Sequence, residues 1–491
     1  MVHHERTLRR DSVHPNNVLI LMVDEMTRAA LGCMNQWPVR TPHLDRLAAS
    51  GVRFTQAYSN SPICVPVRAV VQTGQYVHQI RHWDSATPYD GTIPGWSHEL
   101  RRRGFRVNSI GKLHFRAETD DYGFDTTQLP MHVKDGVGWA PGLLRRPLGD
   151  FPAAAELAVD VGIGDTDYQA YDRRVRDAAC AWLESHAGDG GAPWALFVSF
   201  VSPHYPLTGP AEYARLYDPA ALPAPVCYAE HARPRHPAVR EMLRFFDYDA
   251  PFDAELAQRA RQAYFALVSF VDALIGDVLG ALERSGAGLH TTVIFTSDHG
   301  EMLGDHGIWT KQVMYEGSVG VPMILAGGGI DIPGVVCPTP CSLVDLYPTI
   351  LHAATGGESH GPDGPGESLL DLADTPPDPE RPVLSEYHDG GSVTGAFMLR
   401  RGRWKLVHHV GYASQLFDLE DDPDETTDLA GRKDLDKTLL GLEVDLQRIV
   451  DPAAADRQAF ADQAARIEQL GGLAAVQAMA AGLSFNHTPA P

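Results

Sequence analysis

The chain has 491 residues, room for about two to four domains. With 44% hydrophobic and 21% charged residues it has the material for a large core, which excludes wholesale disorder. Lys and Arg number 41 against 63 Asp and Glu, and the formal charge of -22 repels polyanions, so nucleic acid and anionic membrane surfaces are poor partners.

The first apolar run, Val18 to Val23, has no alternation and reads as a strand covered on both faces in a parallel sheet; it is too short for a secretory or membrane segment. It ends in Asp24-Glu25. Thr41-Pro42, then Leu44, Leu47 and Ala48, then Gly51 predict a helix with an N-cap, a first-turn proline and a glycine stop. Phe105 to Ile110 is a second strand, leading into Gly111-Lys112-Leu113-His114. Trp194 to Val201 is a third, leading into Ser202-Pro203-His204. Gln262 to Leu282 has helical spacing, and Thr291 to Thr296 is a fourth strand that delivers Ser297-Asp298-His299-Gly300. Four buried strands that end in carboxylate, Lys or His predict one shared polar crevice at their carboxyl ends; the alternative is that each strand simply exits to solvent. Arg116 to Asp165 and Pro206 to Phe252 read as long loops suited to a substrate-facing wall.

After about residue 380, Phe397 to Arg400 and Trp404 to Val407 flank a hairpin turn, and Leu416 to Leu419 adds a strand, predicting a small antiparallel sheet. Glu420 to Glu425 reads as a solvated turn. Lys433 to Val450 and the Ala-rich stretch from Asp451-Pro452 to about Gly482 read as helices. The expected layout is an α/β catalytic domain over 1–380, a small sheet plus helix over 381–450, and a helical arm over 451–491 that packs on its own chain or contacts a neighbour in a homo-oligomer. Six scattered cysteines suit a reducing compartment, hence a cytoplasmic protein with no membrane contact. Cys337 and Cys341 form a lone CxxxC and read as packing or loop residues.

The most informative segment is Cys64-Val-Pro66-Val-Arg68, continuing to Thr73-Gly74. Pro66 and Gly74 bracket about two turns of helix and place Cys64 at its positive end, where an anion is stabilised. Residue chemistry alone leaves a buried structural cysteine and a low-pKa thiolate nucleophile both open.

This pattern resembles the signature of the type I sulfatase family of the alkaline phosphatase superfamily, and the resemblance runs from Val18 to about Leu429. It rests also on Asp24, on Thr296-Ser-Asp298-His299-Gly300 through Lys311, on Gly111-Lys112-Leu-His114, on Ser202-Pro203-His204, and on Glu386-Tyr387-His388 and Gln415 to Leu419. The chain departs from many members in Val67, where Ser is usual, and in Glu25, where Asp is usual. Its Asp-His pair is closer to choline-sulfatase-like and phosphonate monoester hydrolase members. The resemblance implies an alkaline phosphatase-like fold, a large mostly parallel sheet sandwiched by helices. It also implies conversion of Cys64 to formylglycine by a formylglycine-generating enzyme that reads Pro66 and Arg68.

It further implies one divalent cation held by Asp24, Glu25, modified Cys64, Asp298 and His299. That donor set is hard apart from its imidazole, which suits Mn²⁺, Ca²⁺ or Mg²⁺. Arg68, Lys112, His114, His204 and Lys311 would form the catalytic pocket for a small anionic ester, with Tyr387 and His388 as pocket residues. In the implied mechanism a hydroxyl of the formylglycine hydrate attacks sulfur or phosphorus while Lys112, Lys311, Arg68 and the cation hold the other oxygens. His204, or Lys311, protonates the leaving alkoxide. His114 then takes the proton of the second hydroxyl, which releases the inorganic anion and restores the aldehyde. A small sulfate monoester is the leading substrate, a phosphonate monoester or phosphodiester the nearest rival, and a catalytically silent metal-stabilised binding protein the remote one.

Overall fold

The structure, a computed structural model, describes residues 16–151, 153–187, 191–248, 252–330, 333–357 and 364–479. Its main sheet contains β1 (Asn17–Asp24), β2 (Val52–Phe54), β3 (Arg106–Lys112), β4 (Thr126–Met131), β5 (Trp194–Pro203), β6 (Thr291–Ser297), β7 (Met323–Gly327) and β8 (Val335–Cys337), in the order β8-β2-β7-β6-β1-β5-β3-β4. Only β7 runs against the other seven.

The unbroken apolar run of β1 is explained by its place inside this sheet. Leu19, Leu21 and Val23 share one core with residues of α1 (Pro42–Ala49), α3 (Asp167–His186) and α4 (Ala254–Arg284). Val18, Ile20 and Met22 share another with α2 (Cys64–Thr73) and α5 (Leu346–Thr355). Alternate side chains therefore bury on opposite faces, and both faces need apolar residues. By length and composition α4 could cross a membrane, but 72% of its most apolar window is buried inside the protein, and it is the core helix of one face.

The second sheet is antiparallel, β9 (Val383–Tyr387), β10 (Ala396–Arg401), β11 (Trp404–His409) and β12 (Gln415–Asp418) in sequence order. Leu384, Phe397, Leu399, Leu406 and Leu416 from this sheet join the same core as Val18 and Ile20, as do Leu442 and Leu446 of α6 (Asp436–Ile449) and Ala455 and Ala459 of α7 (Pro452–Gln469). The segments expected over 1–380, 381–450 and 451–491 thus share one hydrophobic interior. The arm packs on its own chain and breaks at Gly471-Gly472 before a short helix, Leu473–Met479. The expected helix end near Gly482 lies outside the described residues.

Three expectations are corrected. The supposed loop over 116–165 contains the edge strand β4, where Pro130 blurs the strand pattern. The supposed loop over 206–252 contains a helix, Pro237–Phe246, that buries Val239, Met242, Leu243 and Phe246 at helical spacing. Glu425 is not solvated: it is buried beside Lys405, whose Nζ lies 2.7 Å from its Oε1.

Candidate active site

The neighbouring parallel strands β6, β1, β5 and β3 bring Asp298-His299, Asp24-Glu25, His204 and Lys112 to one end of the sheet, so the shared crevice expected from the sequence is present. Asp172 of α3 fixes the end of β5 by accepting from the backbone N–H groups of Val201 and Ser202, each at 2.8 Å. α2 closes the crevice with Cys64 in its first turn, and Gly74 ends the helix in the left-handed region at φ 66°. Several site residues that are not glycine are left-handed too: Glu25 (φ 69°), His114 (φ 55°), Thr310 (φ 64°) and Gln312 (φ 76°).

Asp24, Cys64, Asp298 and His299 each place a donor atom within 4.8 Å of the others. The Nδ1–H of His299 donates to the Gly300 carbonyl at 3.0 Å, which turns Nε2 toward Cys64 Sγ at 3.0 Å and toward carboxylate oxygens of Asp24 and Asp298 at 3.6 and 3.7 Å. A lone pair facing two carboxylates calls for a cation between them, and this donor set fits a divalent ion. Glu25 joins a different group, with Asp24 and His204. Its Oε2 accepts from Lys311 Nζ at 2.9 Å, while its buried Oε1 has no hydrogen-bond donor.

Burial by itself would raise the Asp24 carboxyl, but the charged Lys112 and Arg68 hold it well below the usual range. Burial beside Asp24 pushes the Cys64 thiol far up, so an activated thiolate is not what this position provides. His204 donates from Nδ1 to the Tyr205 carbonyl at 2.8 Å, and its Nε2 accepts from Lys311 Nζ at 3.0 Å. Burial keeps both His204 and His114 neutral, helped at His204 by Lys311 and Lys112 and at His114 by Lys112 and Arg68. Lys311 stays charged despite its burial because Glu25 stands beside it, and its Nζ lies 4.8 Å from the centroid of the Tyr205 ring.

Arg68 departs from the expected role. It is buried, donates from Nε to Asp298 at 2.9 Å and from Nη1 to the Lys112 carbonyl and Ser199 Oγ at 2.9 and 3.0 Å, and its Nη2 lies 3.6 Å from Asp24. Its hydrogen bonds go to Asp298, the Lys112 carbonyl and Ser199, its buried Nη2 makes none, and it is not among the residues lining the cavity, so it positions the carboxylates. Tyr387 and His388 are also misplaced as pocket residues. Tyr387 donates to the Gly390 carbonyl at 2.7 Å, and His388 packs against Trp83 beside Glu386, both wholly buried away from the cavity.

The cavity above Cys64 measures about 120 Å³. Lys112, His114, His204 and Lys311 form its reacting end, and Trp139, Phe151, Leu157, Phe246 and Tyr248 form much of its outer wall. That wall comes from the two supposed loops, whose aromatic content was the one visible signal. Glu301 was not singled out from the sequence, yet it accepts from the backbone N–H groups of Leu303 and Thr310 at 2.7 and 2.6 Å and so shapes the loop that carries Lys311.

A family model described as Sulfatase matches residues 16–357, and one described as N-sulphoglucosamine sulphohydrolase, C-terminal, matches residues 304–451. Choline-sulfatase of Rhizobium meliloti (strain 1021) is 33% identical over 431 residues, covering 84% of this chain and 82% of its own. Arylsulfatase K of Xenopus laevis is 30% identical over 472 residues, covering 89% and 84%. Among solved structures, a phosphonate monoester hydrolase from Silicibacter pomeroyi superposes with a TM-score of 0.69 at 26% identity, covering 88% of this chain and 94% of that one. Sequence kinship over most of the chain thus agrees with the polar crevice at the sheet end, and the chain belongs to the sulfatase family as a sulfuric ester hydrolase.

Proposed function

We propose that the enzyme hydrolyses a small sulfate monoester with an uncharged, apolar leaving group, after maturation of Cys64 to formylglycine, in a reducing cytoplasm where its six cysteines stay free. The observation that carries the leaving-group reading is the cavity lining. Among the described residues its charged lining is Lys112, Lys134 and Lys311, with no Asp or Glu. A quaternary ammonium would find aromatic faces there but no counter-charge and a repelling Lys134.

Asp24, Asp298, His299 and residue 64 would hold the divalent cation, Mn²⁺ or Ca²⁺ by the mixed donor set, and when bound it would supply Lewis-acid stabilisation of the ester oxygens and acidify a hydroxyl at residue 64. Maturation would replace a thiol that is firmly protonated with a hydroxyl nucleophile. Lys112 and Lys311 orient the anion by charge. Lys311 holds a proton at Nζ for the leaving oxygen, and the His204 Nε2 lone pair fixes that ammonium in place. His114, neutral at the wall of the cavity, serves as the proton acceptor for anion release.

The test uses protein produced alongside a formylglycine-generating enzyme. Mass spectrometry of the tryptic peptide Phe54 to Arg68 should show aldehyde or hydrate at residue 64, and the aryl sulfate should exceed the matched aryl phosphonate in kcat/KM. A large phosphonate preference would overturn the sulfate reading, and turnover by protein with an intact thiol would overturn the nucleophile.

A further inference from the structure

Trp139 owes its place in the cavity wall to a chain of contacts that starts on the C-terminal helix. Its backbone N–H donates to the Ser85 carbonyl at 3.1 Å. Ser85, which also lines the cavity, donates from N and Oγ to Asp389 Oδ2 at 2.9 and 2.5 Å. The fit is tight on both sides: a Cβ at Gly142 would stand 1.9 Å from Asp389 Oδ1, and a Cβ at Gly390 would stand 2.6 Å from the Trp139 ring. Asp84 turns the same segment by accepting from Ala86 N at 2.9 Å and Thr87 Oγ1 at 2.6 Å.

One side chain joins these pieces. Gln463 of α7, only 2% exposed, donates from Nε2 to Asp84 Oδ2 at 2.8 Å and to the His388 carbonyl at 2.7 Å. Its Oε1 accepts from Arg145 Nη1 at 3.0 Å, and Arg145 Nε donates on to the Ser392 carbonyl at 2.8 Å. The amide therefore uses both donors and its acceptor on three separate segments: residues 84–87, residues 388–392, and the turn after Trp139. Only an amide of this length has that donor and acceptor set, and a buried amide with both donors and its acceptor engaged holds a single geometry.

We propose that Gln463 is a specificity-determining positioning residue: from the C-terminal helix it fixes the Ser85 and Trp139 wall against which the leaving group packs, and so sets leaving-group affinity without touching the reacting end. The inference rests on the sulfate-ester reading for the identity of the reacting anion, but the wall reads the leaving group and not the anion.

The test compares wild type, Gln463→Glu and Asp462→Asn for hydrolysis of 4-nitrophenyl sulfate and for competitive inhibition by inorganic sulfate. Gln463→Glu keeps the shape but loses both donors and adds a charge beside Asp84. KM should rise about tenfold, the equivalent of one charge-assisted hydrogen bond, with kcat and the sulfate inhibition constant within about twofold. Asp462 belongs to the same helix but pairs with Arg81 and Trp83, so its variant should leave KM within about twofold. Should the Glu variant fail to fold, Gln463→Asn keeps the amide on a shorter stem and gives the same split. A loss confined to thermal stability, or an equal fall in kcat and in sulfate binding, would overturn the inference. If wild type prefers phosphonates, the function reading fails, and the same KM split on 4-nitrophenyl phenylphosphonate still decides the role of Gln463.

Discussion

Arg68→Ala separates two roles for the arginine of the signature motif. The guanidinium lies 2.9 Å from Asp298 and 3.6 Å from Asp24, all three groups being nearly or wholly buried. At an effective dielectric constant of about 20 these pairs attract by about 6 and about 5 kcal/mol before desolvation is subtracted. Removing one partner of such a buried pair costs about 3–5 kcal/mol, because the stranded carboxylates lose their compensation. Loss of a group that orients metal ligands weakens metal affinity by about 10- to 100-fold. The assay is urea unfolding of metal-free and metal-loaded protein, with direct titration of Mn²⁺ into the metal-free form. The expected outcome is a large drop in stability without metal, widened by about 1–3 kcal/mol on loading, because the weakened affinity stabilises the variant less than it stabilises wild type. Unchanged stability and metal affinity, with KM alone raised, would refute the reasoning and return Arg68 to the substrate.

Two further outcomes follow from the same geometry. Lys311→Ala should lower kcat by about 10²- to 10⁴-fold for esters of poorly acidic alcohols and by much less for nitrophenyl sulfate, whose leaving group needs no proton; an equal loss on both would remove Lys311 as the acid. Burial would raise the Glu386 carboxyl, but His78 and His388 hold it down at about 2, against 4.5 for the free group. Its contribution is therefore complete above about pH 4.5 and lost as pH falls toward about 2, on the order of 3 kcal/mol. The stability gap between wild type and Glu386→Gln should close over that window, and parallel acid-unfolding curves would count against it.

The end of β1 was legible because Val18 to Val23 is an unbroken apolar run, so Asp24 at its close stood out, whereas β3 carries Arg106, Asn108 and Ser109 and was legible from its place in the pattern. Cys64 at a helix start was legible from Pro66 and Gly74 for the same local reason. What Arg68, Tyr387 and His388 do was not, because motif membership places a residue near a site without saying which way its side chain points. Arg68 bonds to Asp298 from its buried position, while His388 packs against Trp83 and Tyr387 bonds back to the Gly390 carbonyl. The Gln463 hub was invisible for a different reason: its partners lie 379 residues away at Asp84, 318 at Arg145 and 75 at His388. No periodicity in an Ala-rich helix marks Asp456 and Gln463 as its buried polar residues.

The left-handed backbone of Glu25, His114, Thr310 and Gln312 bears on attempts to harden this enzyme against heat. Each such residue costs about 1–2 kcal/mol relative to an ordinary conformation, and for a β-branched threonine the penalty is most severe. Glycine at Thr310 would relieve it, yet Thr310 Oγ1 donates to Gln312 at 2.8 Å and stands 3.0 Å from the Tyr248 hydroxyl, which ties the turn before Lys311 to the cavity wall. A selection for thermostability alone would therefore draw glycine and asparagine into these positions first, and the variants with the highest melting points would be those whose lysine no longer holds its station.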